Sequence, residues 1–315
     1  MQPLVRPGGN SFVTVLISSL IAVGLLLSTA YLGPMGALLH LLLVAPAAYA
    51  GMRHGLIAGL FTVLVIAGMQ LALSTPVSMV LYLFQFGVPA LVLVFSLRRG
   101  TGWPVATLQA VVASLGLLAA LGLWYAGSHE TTLTAVVQGY IDHEISQAQA
   151  VYDQAGMDAA QVEEIMAFLE RSARFLRQAF VGIAIVALSV VDLVAVMLLS
   201  HMGRGNYYVP GTAFRHFKLN EWLVWLLIVA GFGLLVPADA VKWSALNLLT
   251  VLLPLYFLQG AAIVTYFLKK KAFSTLSQVF TYVIMLAVNP LPAIVTALGV
   301  FDLWFDFRKP RVKTT

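Results

Sequence analysis

The sequence predicts an all-α fold, a polytopic bundle of about ten transmembrane helices, on three observations. Sixty per cent of its 315 residues are hydrophobic and only 10% are charged, where a soluble domain carries about 25% charged residues to keep its surface wet. Apolar stretches of spanning length recur almost back to back, as lipid requires of a chain that must bury its backbone polar groups in helices. Lys and Arg gather at alternate ends of those stretches, as short cytoplasmic loops do.

In order, the spans read as residues 11–32, 35–50, 55–73, 77–97 and 104–126, then 179–200, 221–236 and 244–268. The last apolar stretch, from 273 to about 305, exceeds one crossing. Asn289-Pro290-Leu291-Pro292 sits at its middle, and two prolines remove two backbone donors and bar a straight helix. Splitting it into two short helices gives ten spans and one integral membrane domain over residues 1–315. With the N-terminus inside, all Lys and Arg fall on the cytoplasmic side except Arg171, Arg174, Arg177 and Lys242, so fourteen of eighteen obey the rule. A single last span would instead carry Arg308–Lys313 outside. The first span, with Arg6 before it and Ser28-Thr29-Ala30 near its end, resembles a signal peptide with a cleavage site. Its apolar run is long for that role, which favours a retained helix.

Between the fifth and sixth spans lies the one long polar segment, residues 127–177, placed outside. It holds Glu130, Asp142, Glu144, Asp153, Asp158, Glu163, Glu164 and Glu170, eight of the thirteen acidic residues. Apolar residues at helical spacing (Val137, Tyr140, Ile141; Val162, Ile165, Met166, Leu169) predict an amphipathic helical hairpin broken at Gly156. Asp158 with Gln161 forms a capping box and Met157 against Val162 a hydrophobic staple. The second helix is expected to run straight into the sixth span.

Zero cysteine excludes disulfides, thiol catalysis and Cys-ligated metal. No GxxxxGK[ST], HExxH or GxSxG occurs, so no ATP site, zinc protease or hydrolase elbow is expected. The six histidines lack metal-ligand spacing. No enzyme, cofactor or nucleic-acid partner is indicated. The aromatic and basic residues of the loop 202–220 suit a lipid headgroup interface.

Asp192 stands out, at the middle of 179–200, where an acidic side chain costs a few kcal/mol on insertion. It is neutralised, paired inside the bundle, or set against a water-filled cavity, for ion or ligand contact or as an interhelical hydrogen bond. With Gln85, Asn247 and Gln259 it forms the candidate intramembrane polar site. Gly55 and Gly59 make a GxxxG at the start of the third span, a pattern for close helix approach. Asp302 and Asp306, one turn apart, are each placed to pair with Arg308 or Lys309.

Leu255-Tyr-Phe-Leu-Gln-Gly260, the Phe267-Leu-Lys-Lys-Lys271 exit and Gly299-Val-Phe-Asp-Leu-Trp-Phe-Asp-Phe-Arg-Lys309 resemble the YybS-like family of bacterial membrane proteins. The residues carrying the likeness are Tyr256, Gln259, Gly260, Asp302, Trp304, Asp306 and Arg308. It implies a place, the bacterial inner membrane, and no reaction. Separately, Ala45-Pro-Ala-Ala-Tyr-Ala-Gly-Met-Arg-His-Gly-Leu-Ile-Ala-Gly59 is similar to the glycine-rich turn in substrate-binding components of energy-coupling-factor vitamin transporters. Those components are helical bundles that bind a small molecule and dock on a separate ATPase. This chain departs from them by about four extra spans, and by Ser18/Ala22 where they favour paired alanines. The candidate polar site, with the vitamin-transporter likeness, points to a solute-binding or transport component, with a small-molecule ligand and a membrane or ATPase partner. The other reading is a non-transporting scaffold that recruits partners.

Overall fold

In the computed structural model, which describes residues 10–154, 159–203 and 205–309, the described residues form helices and connecting turns with no strand. The contacts divide the chain into two units. The first comprises residues 1–137 and 187–211, the second 138–186 and 212–315.

In the first unit, Asn10 opens α1 (Ser11–Leu32) by accepting the Phe12 N–H at 3.0 Å, which satisfies an otherwise orphaned donor. Gly33, at φ +56°, turns the chain into α2 (Pro34–Leu39). A tighter 3₁₀ turn, His40–Leu42, then leads into α3 (Val44–His54). Gly55 alone connects α3 to α4 (Leu56–Leu73), at φ +109°, a conformation that glycine adopts without steric cost. After α5 (Pro76–Tyr82) comes a π-helical turn, Leu83–Gly87, then α6 (Val88–Arg98) and α7 (Trp103–Ser128). Leu43, Ile66, Leu93 and Leu97 are among the fully buried side chains of this unit.

α8 (Leu133–Gln154) and α9 (Ala159–Met202) follow. α9 is one helix of 44 residues, so the second arm of the polar segment does run unbroken into the sixth apolar stretch. Within the second unit Arg177 of α9 pairs with Asp142 of α8. The proposed cap and staple at Asp158 and Met157, and the break at Gly156, lie outside the described residues.

The rest of the second unit is a 3₁₀ turn, Phe214–His216, and α10 (Leu223–Gly233), α11 (Asp239–Lys270), α12 (Thr275–Ala287) and α13 (Leu291–Phe305). α12 and α13 meet at an angle of 102°, so the proline pair does break the last apolar stretch. Ala261, Met285 and Val295 form a core here, with Phe257, Val264 and Tyr282 packed on it.

Among the described residues, seven helical stretches, with α2–α3 and α5–α6 each counted as one, are long and apolar enough to cross a membrane, or eight if the bent pair is one span. α10, with 11 residues, is shorter than the roughly 20 a crossing needs. Large apolar side chains stand outward throughout; Leu276 is 80% exposed and Leu235 77%. Water would not tolerate so much apolar surface on a monomer, whereas lipid covers it without cost.

Candidate functional site

Asp192 lies on the buried stripe of α9 with Ala195, Val196 and Leu199, and is 1% exposed. Neither carboxylate oxygen has a hydrogen-bond partner among the described residues. An isolated carboxylate in such a place is costly unless a proton or cation neutralises it. A buried polar group left unpaired calls for a ligand, an ion or a change of conformation.

Other groups in the first unit share this condition. The Tyr82 and Ser114 hydroxyls, in side chains 2% and 1% exposed, and the Ser19 and Thr107 hydroxyls have no partner among the described residues. Nor does His40 Nε2. His40 and Tyr82 stand at the two irregular turns, and both rings pack against Phe86, at centroid distances of 6.5 and 6.2 Å. The cause of the irregularity is in the sequence. Pro46 cannot donate to the Leu42 carbonyl, nor Pro89 to that of Gln85, and each ring crowds the carbonyl four residues back. Helix breaks of this kind persist at membrane depth only inside protein or beside a cavity.

Tyr207 belongs to a further cluster. Its ring meets Tyr49 edge-on at 6.1 Å, and Arg53 Nη1 donates to Tyr49 Oη at 2.6 Å. Burial, and after it the neighbouring Tyr49, push the Tyr207 phenol up, with Arg53 pulling the other way. The Trp103 N–H donates to the Pro210 carbonyl at 2.9 Å and holds this segment against the start of α7.

The other expected site residues are placed differently. Gln85 is exposed on the π-helical turn. Asn247 and Gln259 lie in the second unit, twelve residues apart on α11, or about 18 Å along the axis. Asn247 joins α11 to α9, accepting from Gly182 N–H at 2.8 Å and donating to the Gln178 carbonyl at 2.6 Å. Gln259, 2% exposed, accepts from Leu219 N–H at 2.9 Å and donates to Asp302 Oδ2 at 3.1 Å.

Asp302 is fully buried and is the hub of this second cluster. Arg308 Nη2 donates to its Oδ2 at 2.6 Å and Phe307 N–H to its Oδ1 at 3.0 Å. Arg308 Nη1 continues to the carbonyls of Arg215 and Phe217, at 3.2 and 2.8 Å. Lys309 meets Asp306 at 3.1 Å. Of the motif residues, Tyr256, Gln259, Gly260, Asp302 and Arg308 thus converge on one seam. Trp304 projects outward, 59% exposed. Gly260 and Gly299 let α11 and α13 touch backbone to backbone, since a Cβ on Gly299 would overlap the Tyr256 carbonyl and one on Gly260 that of Val295.

Gly59 packs on Ala47 and Gly51, where a Cβ would come within 3.2 Å of the Gly51 Cα. Gly55 itself is the turn and not a packing residue. Sequence reasoning passed over Tyr82 and Ser114; the signal for Tyr82 was Pro89, which marks a break one turn after it. Among the described residues no group of three His, Asp or Glu is placed to hold a metal ion.

An all-helical chain with this many apolar helices and a buried unpaired carboxylate is a membrane protein. It belongs to the family described as "Predicted membrane protein (DUF2232)", which matches residues 20–303. No curated protein and no solved structure matches it.

Proposed function

We propose that the protein is a YybS-like solute-binding or transport component of the bacterial inner membrane, in which Asp192 takes up a proton or a cation. The proposed topology adds α10, α12 and α13 as short crossings, which the bilayer accommodates by local thinning, to the seven long stretches, making ten, with both termini cytoplasmic and the hairpin 127–177 outside. The observation that carries the reading is Asp192, enclosed within the apolar part of α9 with both oxygens unpaired among the described residues. Two others support it. The stretch 45–59 that resembles vitamin-transporter components lies in the first unit, as does Asp192. Helices α10 to α13, which account for the additional spans, lie in the second. With no phosphate-binding loop in the chain, any ATP-driven step falls to a separate partner.

The test is charge movement in proteoliposomes on a solid-supported membrane, after jumps in proton, sodium or potassium concentration. The wild type is expected to give a transient current for one of these ions, and Asp192→Asn none, with both proteins monodisperse in detergent. Equal currents from the two, or none from the wild type, would remove the role assigned to Asp192. The scaffold reading draws on the second unit, whose buried Gln259 and Asp302 are satisfied internally. It predicts that native mass spectrometry of the purified protein finds a stable protein assembly and no ATPase.

A further inference from the structure

One side of α13 carries an open, apolar groove of about 410 Å³, lined by Ile294, Ala297, Leu298, Phe301, Phe305 and Phe307. From Ile294 to Phe305 it follows the helix for about 16 Å. Its end passes directly into Arg308 and Lys309. The Arg308 guanidinium is consumed by Asp302 and by the carbonyls of Arg215 and Phe217, and those two carbonyl bonds bring the loop carrying Arg215 to the same end of the unit. There the Phe214–His216 turn lies on α11, the His216 ring 6.1 Å from Tyr266, with Lys270 Nζ 5.7 Å from the same ring. Lys269, Lys270 and Lys271 close α11 and are exposed.

An apolar groove and a cationic end therefore belong to one unit. Arg215, Lys269, Lys270 and Lys271 have no carboxylate within ion-pair distance among the described residues, while Lys309 shares Asp306 and Lys218 shares Glu221. We infer that this end of the second unit is a binding site for an anionic phospholipid, one acyl chain lying along α13 and the phosphate meeting the cations of α11 and the 215 loop. Charge and shape both argue for lipid. A soluble phosphate has no use for the groove, and a neutral lipid none for four cations that lack a carboxylate partner. Basic residues beside anionic headgroups each add attraction that falls off within a Debye length, and exposed Trp304 and Phe305 mark the interfacial depth that aromatics prefer.

The test is native mass spectrometry of the full-length protein in detergent, titrated with dioleoyl-phosphatidylglycerol or dioleoyl-phosphatidylcholine, which share their chains. Wild type is expected to retain phosphatidylglycerol at least tenfold better. The triple variant Lys269→Gln, Lys270→Gln, Lys271→Gln should lose that preference, with binding down by about a hundredfold. Ala297→Trp, at an exposed position, should weaken both lipids by filling the groove. Inorganic phosphate at equal ionic strength should not compete. Equal retention of the two lipids overturns the inference. So does full competition by phosphate, an unchanged Ala297→Trp protein, or a triple variant that loses a co-purifying protein in place of lipid.

Discussion

The two units solve the burial of polar groups in opposite ways. In the second, Asp302 and Gln259 are buried, and their bonds come from Arg308, Phe307, Leu219 and each other. In the first, Asp192, Tyr82, Ser114 and Ser19 are equally deep and unpaired among the described residues. A carboxylate with its hydrogen bonds filled is a fastening, whereas one without them is an unsaturated valence. Depth alone does not mark a site; the partner count does.

Removing each acid should therefore give results of opposite sign. Asp302→Ala leaves the Arg308 guanidinium buried and alone, and is expected to cost about 3–5 kcal/mol. The double variant Asp302→Leu, Arg308→Met should recover most of that, by heat denaturation in detergent. If the double variant is as unstable as the single, the hub is not an ion pair in the energetic sense. Next in size, Gly299→Ala forces α13 away from the Tyr256 carbonyl and should cost about 1–3 kcal/mol. Asp192→Val should do the reverse, raising stability by about 1–3 kcal/mol through loss of an unpaired polar group, while abolishing the ion response. A destabilised Asp192→Val protein of normal volume packing would mean that the carboxyl has a partner after all.

A finer probe is alkaline pH. Tyr207 keeps its proton in the native state above the value at which an unfolded tyrosine, at about 10, loses it. The native state then binds more protons than the unfolded one, so this contribution is whole below pH ~10 and declines as pH rises. Tyr207→Phe should lack that decline; parallel wild-type and variant curves through pH ~10 would count against it. Smallest of all, Lys218→Ala breaks only an exposed pair with Glu221 and should move stability by under about 1 kcal/mol.

Much of the fold was open to sequence reasoning because lipid imposes few choices. Span-length apolar runs, the Pro290/Pro292 break and the continuity of α9 follow from hydrophobic length and proline chemistry alone. The likeness at residues 255–260 and 299–309 pointed to groups that the fold does bring together, because Asp302 and Arg308 are near in sequence and have few ways to pair. The composition of the candidate polar site was less open. Asn247 and Gln259 both fall inside an apolar span, as Asp192 does, but which helix each faces depends on the rotation of α11, and an all-round apolar helix carries little periodic signal to fix that rotation. Gln85 was singled out for its side chain, whereas the sequence signal at that turn is Pro89, which has no N–H to give the Gln85 carbonyl.

The Asp302–Arg308 hub also has a consequence for biogenesis. Leu219, which satisfies the Gln259 carbonyl oxygen, precedes it, but Asp302, which accepts from its NH2 group, arrives 43 positions later in the chain. Until α13 is inserted, α11 stands in the membrane with a bare amide and an open glycine notch. A nascent chain stalled before Asp302 thus exposes an unfinished polar surface on α11, which α13 closes when it packs there.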